Sequence, residues 1–286
     1  MLIQRLITAL ILLFLFLGTL FAQSPLVFMA FCGVAILIAA WEWAGFAELQ
    51  SVAQKVAYVA VMALACIDVA WISGAINFAG GVAKMNMQLL TKLFYFAGAF
   101  WLGVLGLLLA YPASQKIWAA KFTRLLFGVI LLMSAWAAIL YLRNHSHGQF
   151  WVIYIVAVVA AADVGAYFVG KAIGRRKLAP AVSPGKSWEG FIGGVLASQL
   201  FAFALAAFFA DRADSPLPEM WMLFLVTALL AGVSVLGDLF ESMLKRSCGL
   251  KDSGSILPGH GGVLDRIDGL TAALPIFALL SISLGW

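Results

Sequence analysis

Residues 5–22 read RLITALILLFLFLGTLFA, and residues 26–46 read LVFMAFCGVAILIAAWEWAGF. Each run is long enough to cross about 30 Å of hydrocarbon, which takes roughly 20 apolar residues in an α-helix. Similar runs follow along the rest of the chain. We therefore predict about nine transmembrane helices, at approximately 6–22, 26–46, 55–74, 93–111, 124–142, 150–170, 189–210, 220–241 and 267–285.

The composition of the whole chain agrees with a membrane protein. Of its 286 residues, 64% are hydrophobic and 11% are charged, and the mean hydropathy is +1.03. A soluble domain with this composition could not keep a polar surface. We predict an all-α, polytopic integral membrane protein. Its first run is a retained helix rather than a signal peptide, because it exceeds the usual apolar core of about 7–15 residues.

The basic residues set the predicted orientation, since Lys and Arg are retained on the cytoplasmic side. With the N-terminus in the cytoplasm, the outside segments carry only four of the 18 Lys and Arg residues: Lys84, Lys92, Arg143 and Arg212. This bias puts the C-terminus outside. The net charge of +5 then faces the anionic inner leaflet, so it does not indicate nucleic-acid binding.

The chain divides into two regions by its content of charged residues. Residues 1–142 form an N-terminal region of about five transmembrane helices. Residues 143–286 form a C-terminal region that we expect to carry the active site, with polar cytoplasmic loops at 171–189 and 242–266. The cysteines Cys32, Cys66 and Cys248 are widely scattered, so no disulfide or zinc framework is indicated.

Acidic residues inside the predicted spans need a reason, because a carboxylate at the bilayer centre costs about 2.5–3.5 kcal/mol even on a lenient insertion scale. Asp163 should therefore face other helices rather than lipid. Glu42 lies between Trp41 and Trp43, whose side chains suit the level of the lipid headgroups. We interpret Glu42 as an interfacial residue in contact with water.

Two pairs of acids border the second cytoplasmic loop. Asp238 and Glu241 are three residues apart and share one face near the end of a predicted helix. Asp265 and Asp268 repeat this spacing at the start of the last helix. Carboxylates from two helices can hold a divalent cation and leave positions for water and substrate phosphate. Helix capping would explain acids at one helix start, but not the two pairs together.

The loop between these pairs is basic and rich in glycine. Gly261 and Gly262 allow backbone N–H groups to converge on an anion. Snorkelling accounts for single basic residues near helix ends, but not for the whole set. The candidates for contacts with phosphate or for other active-site roles are Lys245, Arg246, Lys251, Asp252, His260, Arg266 and Asp268.

The complete stretch 242–268, SMLKRSCGLKDSGSILPGHGGVLDRID, resembles the signature of the phosphatidate cytidylyltransferases, also called CDP-diacylglycerol synthases. Residues 183–190, SPGKSWEG, resemble a second block of that family, and the length and number of spans fit its bacterial members. The resemblance implies that CTP and phosphatidic acid give CDP-diacylglycerol and pyrophosphate, with Mg²⁺ as cofactor. It also implies Asp238 and Asp265 as metal ligands, with a second, monovalent cation nearby.

The roles of the other residues follow from the chemistry of this reaction. The attacking group is already a phosphate anion, so the difficulty is the repulsion between two anionic substrates. We assign Asp238 and Asp265 to the metal, with Glu241 and Asp268 as auxiliary ligands. Arg would pair phosphates in bidentate fashion and Lys would act as a point charge. Residues expected to contact substrate or nucleotide are Ser183, Lys186, Ser242, Gly261 and Gly262.

Three further expectations concern the surroundings of this site. Ser183 and Lys186 should lie in a turn that leads into a helix N-terminus, where a phosphate is favoured. His260 either assists the departing pyrophosphate or holds the loop as a neutral hydrogen-bond partner, and we favour the second role. A cavity open sideways to the inner leaflet, with Trp188 and Glu189 at one wall, would admit phosphatidic acid from the lipid bilayer.

Two other functions stay open on the sequence alone. A transporter for an anionic solute would also need charges inside a helical bundle, but near mid-membrane rather than at one face. A CTP-dependent lipid-alcohol kinase would use the same nucleotide and leave CDP as product. We expect a bacterial inner-membrane protein with a periplasmic C-terminus and a cytoplasmic active site. A monomer and a homodimer are both compatible with the sequence.

Overall fold

A computed structural model describes residues 2–75, 85–209 and 217–286. These ranges are almost entirely helical, which confirms the predicted all-α class. The helices are α1 (Leu2–Leu20), α2 (Pro25–Phe46), α3 (Val52–Ile72), α4 (Met87–Leu109), α5 (Gln115–Trp118), α6 (Lys121–Arg143), α7 (Gly148–Ile173), α8 (Trp188–Phe209), α9 (Met220–Ser247) and α10 (Leu264–Leu284). Two short strands, β1 (Lys177–Ala179) and β2 (Ser183–Ser187), lie between α7 and α8.

The long helices coincide with the predicted spans. Within the described ranges, 8 helices are long and apolar enough to cross a membrane, and α1 is apolar over Leu6–Leu20. The predicted and observed helix ends differ most at the start of α4 and at the end of α9. Helix α9 continues to Ser247, so Lys245 and Arg246 lie on a helix rather than in a loop. The count of nine membrane crossings and their orientation stay predictions.

The two polar loops lie on one face of the bundle, as the sequence indicated. We call residues 174–187 the hairpin segment and residues 248–263 the glycine-rich loop. Arg246, at the end of α9 just before the glycine-rich loop, donates from Nε to the Val182 carbonyl oxygen of the hairpin segment at 3.3 Å. Both loops can therefore contribute to a single site.

Helices α6 and α10 form the interior of the bundle and are its most enclosed spans. Aromatic rings pack around Phe240 of α9, among them Trp43 and Trp101, with ring centroids 6.2 and 5.9 Å away. Trp43 is fully buried, and its indole N–H donates to the Arg124 carbonyl oxygen at 2.7 Å. The interpretation of Trp43 as a headgroup-level side chain was wrong, because its polar group finds a partner inside the protein.

The hairpin segment corrects one local prediction. Strands β1 and β2 pair antiparallel, with Ala179 opposite Ser183, so Ser183 and Lys186 lie on a strand rather than in a turn. Glu189, in the first turn of α8, accepts the Arg175 backbone N–H at 3.0 Å and holds the hairpin segment against the helix. The strand forms because β1 supplies its partner, which short-range propensity does not reveal.

A close crossing of α9 and α10 aligns acidic residues on the two helices. A Cβ on Gly237 would collide with the Asp268 carbonyl oxygen, and a Cβ on Gly269 would lie 3.2 Å from the Ser234 Cβ. Small residues allow the two backbones to approach this closely. Asp238, which follows Gly237, is thereby placed beside Asp268.

Candidate active site

The face that carries the two polar loops contains a partly exposed ion pair at Asp238. The Lys186 Nζ lies 2.6 Å from the Asp238 Oδ2, and the Ser242 hydroxyl donates to the Asp238 Oδ1 at 3.2 Å. The side chains of Lys186 and Asp238 are 25% and 33% exposed. Both charged groups are therefore accessible to a ligand.

Carboxylates from two further helices adjoin this pair. Asp163 of α7 interacts electrostatically with Asp238, Lys186 and Arg266, and Asp268 of α10 interacts with Asp238 and Asp163. We call the group formed by Asp163, Lys186, Asp238 and Asp268 the acidic cleft. Three carboxylates there face the Lys186 ammonium and the Arg266 guanidinium, so acidic groups outnumber basic ones by one, which favours binding of a cation. The expectation that Asp163 faces other helices agrees with these electrostatic interactions, although the residue is exposed.

Asp265 occupies a different environment. Its carboxylate accepts hydrogen bonds from the Lys245 Nζ at 2.7 Å, from the Ser253 N–H at 2.9 Å and from the Gly262 N–H at 2.8 Å. Only 5% of its side chain is exposed. In this structure Asp265 holds the glycine-rich loop onto α10, and its assignment as a metal ligand stays a prediction.

Lys245 connects two buried acids. Besides its contact with Asp265, its Nζ lies 3.4 Å from the Glu241 Oε1, and the side chains of Lys245 and Glu241 are 12% and 3% exposed. The Glu241 carboxylate also interacts with Asp268. The Lys245 ammonium therefore compensates acids between α9 and α10, rather than standing free for a substrate phosphate.

Glu42 is a site-forming residue that the sequence analysis misinterpreted. It is 4% exposed and accepts the Val263 N–H at 3.0 Å, the Leu264 N–H at 2.8 Å and the Ser253 hydroxyl at 3.3 Å. From α2 it caps the start of α10, where an anion is favoured. The interpretation of Glu42 as an interfacial residue in water was wrong, because backbone donors from a distant loop replace the water. A charge between two tryptophans in an apolar helix was its only local signal.

Backbone N–H groups of the glycine-rich loop converge on anions as expected, but these anions are carboxylates of the protein. Gly261 has a φ of 84°, a conformation that favours glycine. A Cβ on Gly254 would lie 2.5 Å from the Glu42 Oε1, and one on Gly262 would lie 2.6 Å from the same atom. The Gly262 N–H is thus used by Asp265, and its predicted contact with substrate stays untested.

The other predicted residues lie at the border of the acidic cleft or in the glycine-rich loop. Exposed side chains belong to Arg246, Lys251, Asp252 and Arg266, and Ser183 is half-buried. The His260 backbone N–H donates to the Leu257 carbonyl oxygen at 2.9 Å. The His260 Nδ1 is buried and has no hydrogen-bond partner among the described residues.

The side chains of the acidic cleft are of the type that binds magnesium, but they do not surround an ion on their own. In the part of the chain that the structure describes, no group of three or more acidic, histidine or cysteine side chains stands close enough to hold a metal ion. Magnesium, however, usually keeps several waters and binds through one or two carboxylates together with substrate phosphates. The oxygen donors and the negative charge of the acidic cleft fit this ion.

Comparisons with known proteins match the whole chain. A model of the cytidylyltransferase family matches residues 3–284. The chain is 41% identical over 286 residues to a phosphatidate cytidylyltransferase of Pseudomonas aeruginosa, covering 100% of this chain and 99% of that protein. It is 40% identical to the Haemophilus influenzae protein of the same name, with coverage of 97% and 98%. For the Bacillus subtilis protein the identity is 38%, with coverage of 71% and 70%.

Proposed function

The chain belongs to the cytidylyltransferase family, and from this premise we propose where and how it carries out its reaction. It is a multi-pass membrane enzyme that transfers the cytidylyl group of CTP to phosphatidic acid, which gives CDP-diacylglycerol and pyrophosphate. This is a step of phospholipid biosynthesis. The family match does not favour the lipid-alcohol kinase or the transporter.

We propose that the reaction takes place in the acidic cleft. The observation that supports this location is the convergence of Asp238 and Asp268, from two helices in close contact, beside the accessible ammonium of Lys186. Two of its residues, Lys186 and Asp268, also lie within the two segments whose sequences resemble the family signature. Charged groups that are held in place before substrate binds usually make the largest contribution to catalysis of this kind.

For the cofactor we propose Mg²⁺, held by Asp238 together with Asp268. The choice of Asp268 over Asp265 rests on pairing, because Asp265 already accepts bonds from the Lys245 ammonium and from two backbone N–H groups. The Asp268 carboxylate is hydrogen-bonded to the Gly269 N–H and to Glu241. When bound, the ion offsets the charge of the substrate phosphates and of the leaving pyrophosphate. We assign no residue to the second, monovalent cation that the resemblance implies.

Lys186 and Arg266 are the proposed phosphate contacts. Both interact with Asp163 across the acidic cleft, and both side chains are accessible. Arg246 and Lys251 are exposed nearby and would attract the nucleotide by their long-range field. Lys245 is instead a positioning residue, because it joins α9 to α10 through Glu241 and Asp265.

The reaction itself needs no general base. A phosphate oxygen of phosphatidic acid forms a bond to the α-phosphorus of CTP, while the bond from that phosphorus to pyrophosphate breaks. The nucleophile is already anionic, so the protein must mainly reduce the repulsion between the substrates and align them. His260, with its buried Nδ1, is proposed to hold the glycine-rich loop rather than to transfer a proton.

We propose that the acidic cleft faces the cytoplasm in a bacterial inner membrane, with the C-terminus in the periplasm. This orientation follows the bias of Lys and Arg toward the segments on the face of the two loops. The homodimer that the sequence left open stays a prediction.

The experiment that tests the function follows the label of α-labelled CTP. Protein purified in detergent and given phosphatidic acid and Mg²⁺ should transfer the label to lipid, whereas label in free CDP would indicate a kinase. Asp238→Asn should lower the rate about 100-fold or more. Asp68→Asn is the matched control, because Asp68 is an exposed acid on α3. Equal activity of the Asp238 variant and the wild type would refute the proposed site.

A further inference from the structure

A cavity of about 500 Å³ lies among α1, α2, α6, α7 and α10. Its volume falls in the usual range of ligand pockets, about 300–1,000 Å³. The walls are apolar side chains such as Phe16, Cys32 and Ile139. Trp188 and Glu189 do not line it, so it is not the lateral cavity that the sequence analysis expected beside those two residues.

Arg266 lines this cavity on the side of the glycine-rich loop, where Ile256 and Leu257 also line it. Of the described residues that line the cavity, Arg266 alone is charged. The same side chain interacts with Asp163 of the acidic cleft, and it lies in the first turn of α10, two positions before Asp268. The apolar cavity and the acidic cleft therefore adjoin each other at one arginine.

We propose that this cavity binds one acyl chain of phosphatidic acid, with the phosphate of the lipid at Arg266. The inference rests on the proposed function and deepens it. The apolar walls suit an alkyl chain and the adjoining Arg266 suits an anionic group, and the lipid substrate has both. The guanidinium then presents the phosphate to the acidic cleft by bidentate pairing.

The volume of about 500 Å³ lies in the lower half of the range of ligand pockets, about 300–1,000 Å³. We therefore assign one acyl chain, rather than two, to this cavity. The other chain stays in the bilayer beside α1. The Thr8 hydroxyl of α1 donates to the Pro258 carbonyl oxygen at 3.2 Å, which connects this wall of the cavity to the glycine-rich loop.

This site would orient the lipid substrate rather than increase its affinity. The bilayer is as apolar as the cavity, so moving an acyl chain between them changes the hydrophobic free energy little. Holding the chain fixes the position of the phosphate, and a misplacement of about 1 Å can cost about 100-fold in rate. The site should therefore affect kcat/KM, and only for lipids whose chains reach the cavity.

Filling the cavity tests this inference. Ala35 of α2 lines the cavity, whereas Ala30 of the same helix is exposed on the outside of the bundle. Ala35→Trp should lower kcat/KM for dipalmitoyl phosphatidic acid about 10- to 100-fold. It should leave the value for dihexanoyl phosphatidic acid within about twofold, as should Ala30→Trp for both lipids.

The outcomes separate this inference from the proposed function. If Ala35→Trp lowers kcat/KM equally for both lipids, or for neither, the acyl-chain site is overturned. Turnover by the wild-type protein in the same assay would still support the proposed function. Wild-type protein that converts neither lipid would overturn the function itself. A phosphatidic acid with a diazirine in mid-chain gives a second measurement on wild-type protein. We expect adducts on Phe16, Cys32 or Ile139, and adducts confined to exposed residues such as Leu102 and Phe203 would refute the site.

Discussion

Lys186 of the hairpin segment and Asp238 of α9 form an ion pair, with the Lys186 Nζ 2.6 Å from the Asp238 Oδ2. The pair places a flexible cation directly on the carboxylate that we assign to the metal. A lysine ammonium is a mobile point charge, so we expect Lys186 to leave Asp238 and pair with a substrate phosphate, after which Asp238 would be free to hold a divalent ion. This exchange explains why a basic residue stands among three acids.

Replacing Lys186 tests that exchange. Lys186→Met should lower kcat/KM for CTP about 100-fold, because it removes one of the proposed charges that offset the repulsion between substrates. Lys186→Arg should recover part of the loss. Steady-state kinetics of lipid labelling measures both, with Lys177→Met as control, since Lys177 is an exposed residue of the same hairpin. Wild-type kinetics in Lys186→Met would contradict the assignment.

Gly237 tests whether the close crossing of α9 and α10 builds the site. Gly237→Ala should destabilise the protein by about 1–3 kcal/mol through overpacking and should reduce turnover, because the added Cβ meets the backbone of Asp268. Gly232→Ala on the same helix has open space around the Cβ and should keep both properties. Thermal unfolding in detergent and the labelling assay provide the measurements. Identical behaviour of the two variants would contradict this account of the crossing.

We expect Glu42 to stabilise the conformation of the glycine-rich loop. In Glu42→Gln the side chain keeps one acceptor oxygen and brings an NH₂ group toward backbone donors, so we expect a loss of about 1.5–3 kcal/mol and faster proteolysis within residues 248–263. Glu219→Gln is the control, as Glu219 is exposed and its change should stay within about 0.5 kcal/mol. A loop that resists protease equally in both variants would show that Glu42 does not hold it.

The orientation can be tested with single cysteines in a chain that lacks the three native ones. Lys251 and His147 are both exposed, the first in the glycine-rich loop and the second just before α7 at the other end of the bundle. A membrane-impermeant maleimide should label Lys251→Cys only in inverted vesicles and His147→Cys only in right-side-out ones. The reverse pattern would place the acidic cleft outside the cell.

The helices could be predicted from the sequence because the length and polarity of a membrane span are local properties. Each predicted span coincides with a helix, and the largest error at a helix end has a physical cause. Helix α9 extends to Ser247 because Lys245, although polar, finds Glu241 and Asp265 as partners inside the bundle. The strand around Lys186 was missed because it depends on pairing with β1, which the propensities of residues 183–187 do not reveal.

The sequence predicted which residues belong to the site better than it predicted how they are arranged. The signature stretch 242–268 contains Lys245, Asp265 and Asp268, and Asp238 lies just before it. The spacing of these acids does not show which of them share a cleft. That depends on the Ser253 and Gly262 N–H groups, which turn toward Asp265. Glu42 lies more than 200 residues from the loop that it holds, so no short-range pattern could identify it.

The most direct test of the central claim measures binding of Mn²⁺, an ion with the same preference for carboxylate and water ligands, by electron paramagnetic resonance of the purified protein with CTP. Asp238→Asn and Asp268→Asn should each weaken binding about 10- to 100-fold, while Asp265→Asn keeps the ion and loses order in the glycine-rich loop. Unchanged binding in Asp238→Asn, or loss in Asp265→Asn with retention in Asp268→Asn, would contradict the account.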